Sequence, residues 1–206
     1  MSLKFSTAVL VALAVSSAPA YACTMTQGSQ VIDPPDLQNA DPAWVAINNT
    51  TFDISGGTAK VTVPAQQWGG ISYGGKFVDT GDICVNLVVP DANSGGGIIF
   101  GDTEAGDYLF EIWGSGEADV AEFTTEGWLN PVAPVASSVI KTGANASNEL
   151  RITWNGSTAS AYINGQLFKT FPLSAFQGNK IGLAVEGGNN STTVQFSNLS
   201  VTAVSK

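Results

Sequence analysis

The chain has 206 residues, a formal charge of −9 and no histidine. Without histidine there is no Ser-His-Asp triad, and the commonest general base and zinc ligand are absent. Eight Lys and Arg are scattered among 17 Asp and Glu, so no basic stripe exists for phosphates; nucleic acid is not expected as a partner, and an anionic membrane would repel this surface.

The chain opens MSLKFSTAVLVALAVSSAPAYAC. Lys4 supplies a positive start, Thr7 to Val15 form a short apolar run, and Ala20-Tyr21-Ala22 fits a small-x-small cleavage site. Residues 1–22 therefore read as a secretory signal peptide, with export to the periplasm or the exterior. No later segment has the uninterrupted apolar length of a membrane helix. Cys23 has three readings, the plainest being a loose thiol with Cys84 buried and free. It can pair with Cys84, the other cysteine of the chain, as an exported protein favours. It can instead be lipidated, although Tyr21 is bulky and the usual Leu is missing. Residues 23–36, ending in Asp33-Pro34-Pro35, read as a leader, and 37–204 as the folded domain.

Within that domain, strand signals recur about every ten residues, the spacing of a sandwich or barrel. TAKVTVP alternates Ala59, Val61 and Val63 against Lys60 and Thr62. DICVNLVVP is apolar on both faces and reads as a central strand. GGIIFGD and DYLFEIW follow, separated by a turn around Asp102 to Gly106. NELRITW places Leu150, Ile152 and Trp154 on one face. Asn155-Gly156 and Asn164-Gly165 each supply the positive φ values of a type I′ turn. They predict a meander of strands Glu149–Trp154, Ser157–Ile163 and Gln166–Phe171. PLSAFQ reads as a single helical turn; helical periodicity is otherwise absent. A dozen short strands predict two packed antiparallel sheets, an all-β jelly-roll sandwich, with a barrel as the alternative.

A family pattern runs through DPAWVAINNTTFDISGGTAKVTV, GGIIFGDTEAGDYLFEIW, EGWLNPV, NELRITWNGSTASAYINGQLFKTF and GNKIGLAVEGGNNSTTVQFSNLSVT. It resembles the bacterial concanavalin A-like lectin/glucanase sandwiches, near the laminin-G-like and 3-keto-disaccharide-hydrolase-type domains. The resemblance rests on Asn164-Gly165, Gly178 to Leu183, Glu186-Gly187 and Phe196 to Val201. It implies a two-sheet jelly roll and often glycan recognition, sometimes with calcium. It leaves the activity open, because one fold hosts lectins, hydrolases and spacers. Gly165 and Gly182 read as turn and packing residues, Phe196 and Leu199 as core. Glu186 reads as a surface charge or as a calcium or sugar contact.

Three groups of residues are candidates for chemistry. Glu117, Asp119 and Glu122 have the carboxylate spacing of retaining β-glucanases of this fold, which need a nucleophile and an acid/base. Glu122 joins the other two only if a bulge lies near Ala121; otherwise the acids are a charged strand edge. Trp68, Tyr73, Trp113 and Trp128 are candidate ligand-binding aromatics, with Glu111 on the strand face of Trp113. Trp44 and Trp154 occupy core-like positions. Asp102, Glu104 and Asp107 offer oxygens for calcium, but their spacing matches no calcium loop. A polar turn is the plainer reading, and no cofactor or metal is expected. The composite expectation is an exported, non-catalytic module that binds a glycan. The alternatives are a glycoside hydrolase using the three acids and an adhesion module that binds a protein partner.

Overall fold

The computed structural model describes residues 37–39, 41–74, 80–103, 106–173 and 180–203. The expected signal peptide, the leader with Cys23, most of PLSAFQ, and Glu104 all lie outside these residues, as does the side chain of Asp102.

The described residues form fourteen strands: β1 (Trp44–Ile47), β2 (Thr51–Ser55), β3 (Thr58–Val63), β4 (Trp68–Gly74), β5 (Thr80–Val88), β6 (Gly95–Thr103), β7 (Gly106–Trp113), β8 (Glu117–Thr124), β9 (Gly127–Ala136), β10 (Ser147–Asn155), β11 (Thr158–Ile163), β12 (Gln166–Pro172), β13 (Lys180–Glu186) and β14 (Thr192–Ala203). They build two seven-stranded sheets. One has the order β1-β4-β13-β6-β7-β8-β9 and the other β12-β11-β10-β5-β14-β3-β2. Every strand pairing is antiparallel. This is the all-β, two-sheet jelly-roll sandwich that the strand spacing predicts, not a closed barrel. DICVNLVVP supplies β5, the middle strand of its sheet.

The period-two pattern of each strand decides which side chains meet between the sheets. Ile83, Val85 and Leu87 of β5 face Ile98, Phe100, Phe110 and Ile112 of β6 and β7, all buried in one continuous core. Trp44 and Trp154 are buried in the same core, as expected. Trp154 stacks near Phe100 with ring centroids 6.2 Å apart. Cys84 alternates to the outer face of β5, yet it is buried and disulfide-bonded.

The meander of β10, β11 and β12 is present, with one correction. At the second corner Asn164 and Gly165 have φ values of 50° and 77°, and Ile163 pairs with Gln166, as a type I′ turn requires. At the first corner Asn155 pairs with Thr158, so the central residues are Gly156 and Ser157, not Asn155 and Gly156. Only Gly156 has positive φ there, at 60°, the pattern of a type II′ turn. The register explains the difference. It sets buried Ala159 across from Trp154 and leaves Ser157 exposed in the turn. Asn164 is further fixed by its side chain. Its Nδ2 donates to Val139 O at 2.7 Å and to Asn148 Oδ1 at 2.8 Å, and its Oδ1 accepts from Glu149 N at 3.0 Å.

Candidate functional site

The sheet containing β4, β13, β6, β7, β8 and β9 carries a second, smaller apolar cluster on its outer face: Ile99, Leu109, Ala121 and Ala184, with Ile47 and Trp68 against them. A flat sheet would hold β4 and β9 about 24 Å apart, five strand spacings. The rings of Trp68 on β4 and Trp128 on β9 are nevertheless 5.8 Å apart. The sheet is therefore curled into a trough whose two rims meet through tryptophan side chains.

Glycines on the trough floor permit this curvature. A Cβ on Gly97 would lie 2.2 Å from Phe110 O, and one on Gly70 would lie 2.3 Å from Leu183 O. No side chain fits so close to a neighbouring strand. The rims are held by short polar contacts. Asn48 Nδ2 donates to Trp68 O at 3.0 Å, and Thr50 Oγ1 accepts from Gly70 N at 2.8 Å. On the other side Thr124 Oγ1 donates to Gly127 O at 3.0 Å, shaping the β8–β9 turn that presents Trp128. Phe123 packs against Trp128 with centroids 5.0 Å apart.

Two bands run along the trough. The first is apolar and aromatic: a pocket of about 390 Å³ lined by Ile47, Trp68, Ile99, Leu109, Phe123 and Trp128, among others. That volume is within the range of small-ligand sites, about 300–1,000 Å³. Trp128 is 49% exposed at its mouth. Trp68 Nε1 is buried with no hydrogen-bond partner among the described residues.

The second band is acidic. Glu111 on β7 faces Asp119 on β8 as a direct cross-strand pair. Glu186 at the end of β13 pairs with Trp68 on one side and Gly95 on the other, and Gly95 pairs with Trp113. A Cβ on Gly95 would touch Glu186, Trp113 and Oε2 of Glu111 at 3.1, 3.4 and 3.5 Å, so three side chains of the band converge over this glycine. Burial pushes the Glu111 carboxyl well up, and the charges of Asp119 and Glu186 add to it. Burial likewise raises Asp119 to about 6, against hydrogen bonds from Trp113 and Glu111 that lower it. Glu186 is raised to about 7 by burial and by the charge of Asp119. A hydrogen bond between two carboxyls requires that they share a proton. Glu111 Oε2 and Asp119 Oδ1 are buried without a hydrogen-bond partner among the described residues. Such a band can donate or accept a proton near neutral pH, or hold a cation.

The structure brings some of the candidate residues together and separates others. Trp68, Trp113 and Trp128 all face the trough. Tyr73 does not: it packs on the core side against Trp44, ring centroids 5.2 Å apart, and donates from its hydroxyl to Asp41 Oδ2 at 3.2 Å. Asp119 and Glu117 face the trough; Glu122 does not. The β7–β8 register runs unbroken from Gly106–Thr124 to Ile112–Ala118. The irregularities near Val120 lie in the pairing with β9, where the extra residues belong to β9. With no bulge in β8, alternation sends Glu122 to the face opposite Asp119. The three acids Glu117, Asp119 and Glu122 therefore do not converge. The acids that do converge with Asp119 are Glu111 and Glu186. Each stands in the sequence as an acid on an outward strand position, but their convergence is set by pairing between distant segments. The described residues contain no cluster of acids or cysteines arranged to hold a metal ion. No helix among the described residues is long and apolar enough to cross a membrane.

No family model and no curated protein matches the chain in sequence. Solved structures do match in fold. The carbohydrate-binding module CBM66 from Bacillus subtilis superposes with a TM-score of 0.64 at 14% identity, covering 78% of this chain and 96% of that one. The catalytic domain of an endo-1,3-β-glucanase (laminarinase) from Thermotoga petrophila gives 0.62 at 11% identity, covering 86% and 99%. The Crh5 transglycosylase gives 0.59 at 14% identity, covering 83% of each chain. At these identities the likeness shows the fold alone, and that fold is the jelly-roll sandwich shared by glycan-binding modules and glycan-cleaving enzymes.

Proposed function

We propose that the trough is a carbohydrate-binding face and that the protein is an exported glycan-recognition module. The observation that carries this reading is the meeting of Trp68 and Trp128 over an apolar pocket, with an acidic band alongside. A sugar ring offers an apolar C–H face and a polar edge. The first matches an indole face; the second matches unsatisfied carboxyl oxygens and the unpartnered Trp68 Nε1. The fold neighbours include a carbohydrate-binding module, which supports the same reading.

A second reading is favoured by one specific feature. Two carboxyls raised to about 6 and about 7, beside a buried acid, are tuned as a general acid needs. Glycoside cleavage in this trough would use Asp119, Glu186 and Glu111, not Glu122.

A glycan array with the purified chain tests both. Saturable binding to one glycan class, lost in Trp128→Ala, supports recognition. Release of shortened sugar, abolished in Glu186→Gln, turns the module into an enzyme. A blank array together with no released sugar refutes both and leaves a protein-binding role.

A further inference from the structure

We propose that the acidic band accepts the protonated amine of an amino sugar, so that the ligand is a chain containing unacetylated hexosamine and not a neutral glucan. This rests on the carbohydrate reading of the trough and narrows its ligand class.

Among the described strands of this sheet, the acids of the band face no base. Glu111, Glu117, Asp119 and Glu186 share one end of the trough, and the strands around them bring no cation. β4 and β9 carry no charged residue, and β6 offers only glycines at this end. The single base on the sheet's described strands is Lys180, at the opposite end of β13 from Glu186, about 20 Å away along the strand. Ser115 Oγ donates to Glu117 at 3.2 Å, and Trp113 donates to Asp119, but these are neutral donors.

The second observation is the state of Glu111. Its side chain is 4% exposed, and Oε2 has no partner among the described residues. That oxygen points to the space over Gly95, between Glu186 and Trp113. A buried, unpartnered carboxyl oxygen is costly unless something donates to it. A neutral hydroxyl would satisfy its hydrogen bonding but not the crowding of four acids. An ammonium group satisfies both. Because the described acids do not form a metal-binding set, the cation is better supplied by an organic amine. Since Trp68 belongs to both bands, one ligand can stack a sugar ring in the apolar pocket while its amine reaches the acids.

The test is calorimetric titration of the full chain at pH 6.5 with three trisaccharides of matched length: glucosamine, N-acetylglucosamine and glucose. The glucosamine trimer is expected to bind tightest, by roughly tenfold or more, as one added charge-assisted contact gives. Its binding should release protons, seen as a heat that varies with buffer. In Glu186→Gln and in Asp119→Asn the ratio between glucosamine and acetylated trimers should fall towards one; two variants guard against one that folds poorly. Equal binding of all three sugars overturns this inference and leaves the carbohydrate reading standing. No binding by any sugar overturns both.

Discussion

The acidic band makes the stability of this protein depend on pH in an unusual direction. An acid whose folded pKa is raised binds its proton more tightly folded than unfolded. Its stabilisation is then complete below the unfolded pKa and is lost as pH rises through the folded pKa. For Glu186 that window runs from 4.5 to about 7, and for Asp119 from 3.8 to about 6. Each tenfold change in proton affinity corresponds to about 1.4 kcal/mol. Together the two acids set a ceiling of about 6 kcal/mol. Both carboxyls face an open trough and titrate as a set, so screening reduces this to about 1–2 kcal/mol. Thermal unfolding should therefore rise by several degrees between pH 7.5 and pH 5, at about 2–4 °C per kcal/mol for a domain of this size. Glu111→Gln removes the most deeply buried acid. It should raise the midpoint at pH 7.5 and flatten the pH profile. A midpoint that is flat or falls on acidification across this window would show that the acids are not desolvated together.

Trp128→Ala should weaken glycan binding by about 1–3 kcal/mol, the scale of an aromatic anchor, while moving the unfolding midpoint by less than a few degrees, because the ring is half exposed; titration and calorimetry separate the two. Gly97→Ala should destabilise the fold by about 1–3 kcal/mol or abolish it, since the new Cβ lies 2.2 Å from a neighbouring carbonyl oxygen; urea unfolding measures this. Asn164→Ala should cost about 2–3 kcal/mol in the same assay, because it removes three hydrogen bonds and places a β-carbon residue at φ 50° without the local bonding Asn provides.

The fold is legible in the sequence because its determinants are local. Alternation in NELRITW and TAKVTVP states which side chains go inward, and Asn164-Gly165 dictates its own turn. The first corner differs by one residue because Asn-Gly can supply either central pair. What decides is the packing of Ala159 opposite Trp154, which is not a local property. The core positions of Trp44 and Trp154 follow from periodicity. Tyr73 reads as a ligand contact only because a Gly-rich segment hides its alternation; β4 is a regular strand, and its odd positions face inward. The trough is the least legible. Glu111 and Asp119 are neighbours through a hairpin, but Glu186 reaches them only through the pairing of β13 with β6. The contact of Trp68 with Trp128 depends on the curvature of a whole sheet, for which the row of glycines is the only signal.

Whether the trough is the ligand face can be read from the five tryptophans themselves. Three lie in it and two are in the core, so their indole N–H signals divide into reporters and controls. On titration with a glycan from the array, the signals of Trp68, Trp113 and Trp128 should shift with a common Kd, while those of Trp44 and Trp154 stay in place. Saturable glycan binding that leaves the three trough signals unmoved would overturn this assignment and place the ligand elsewhere on the sandwich.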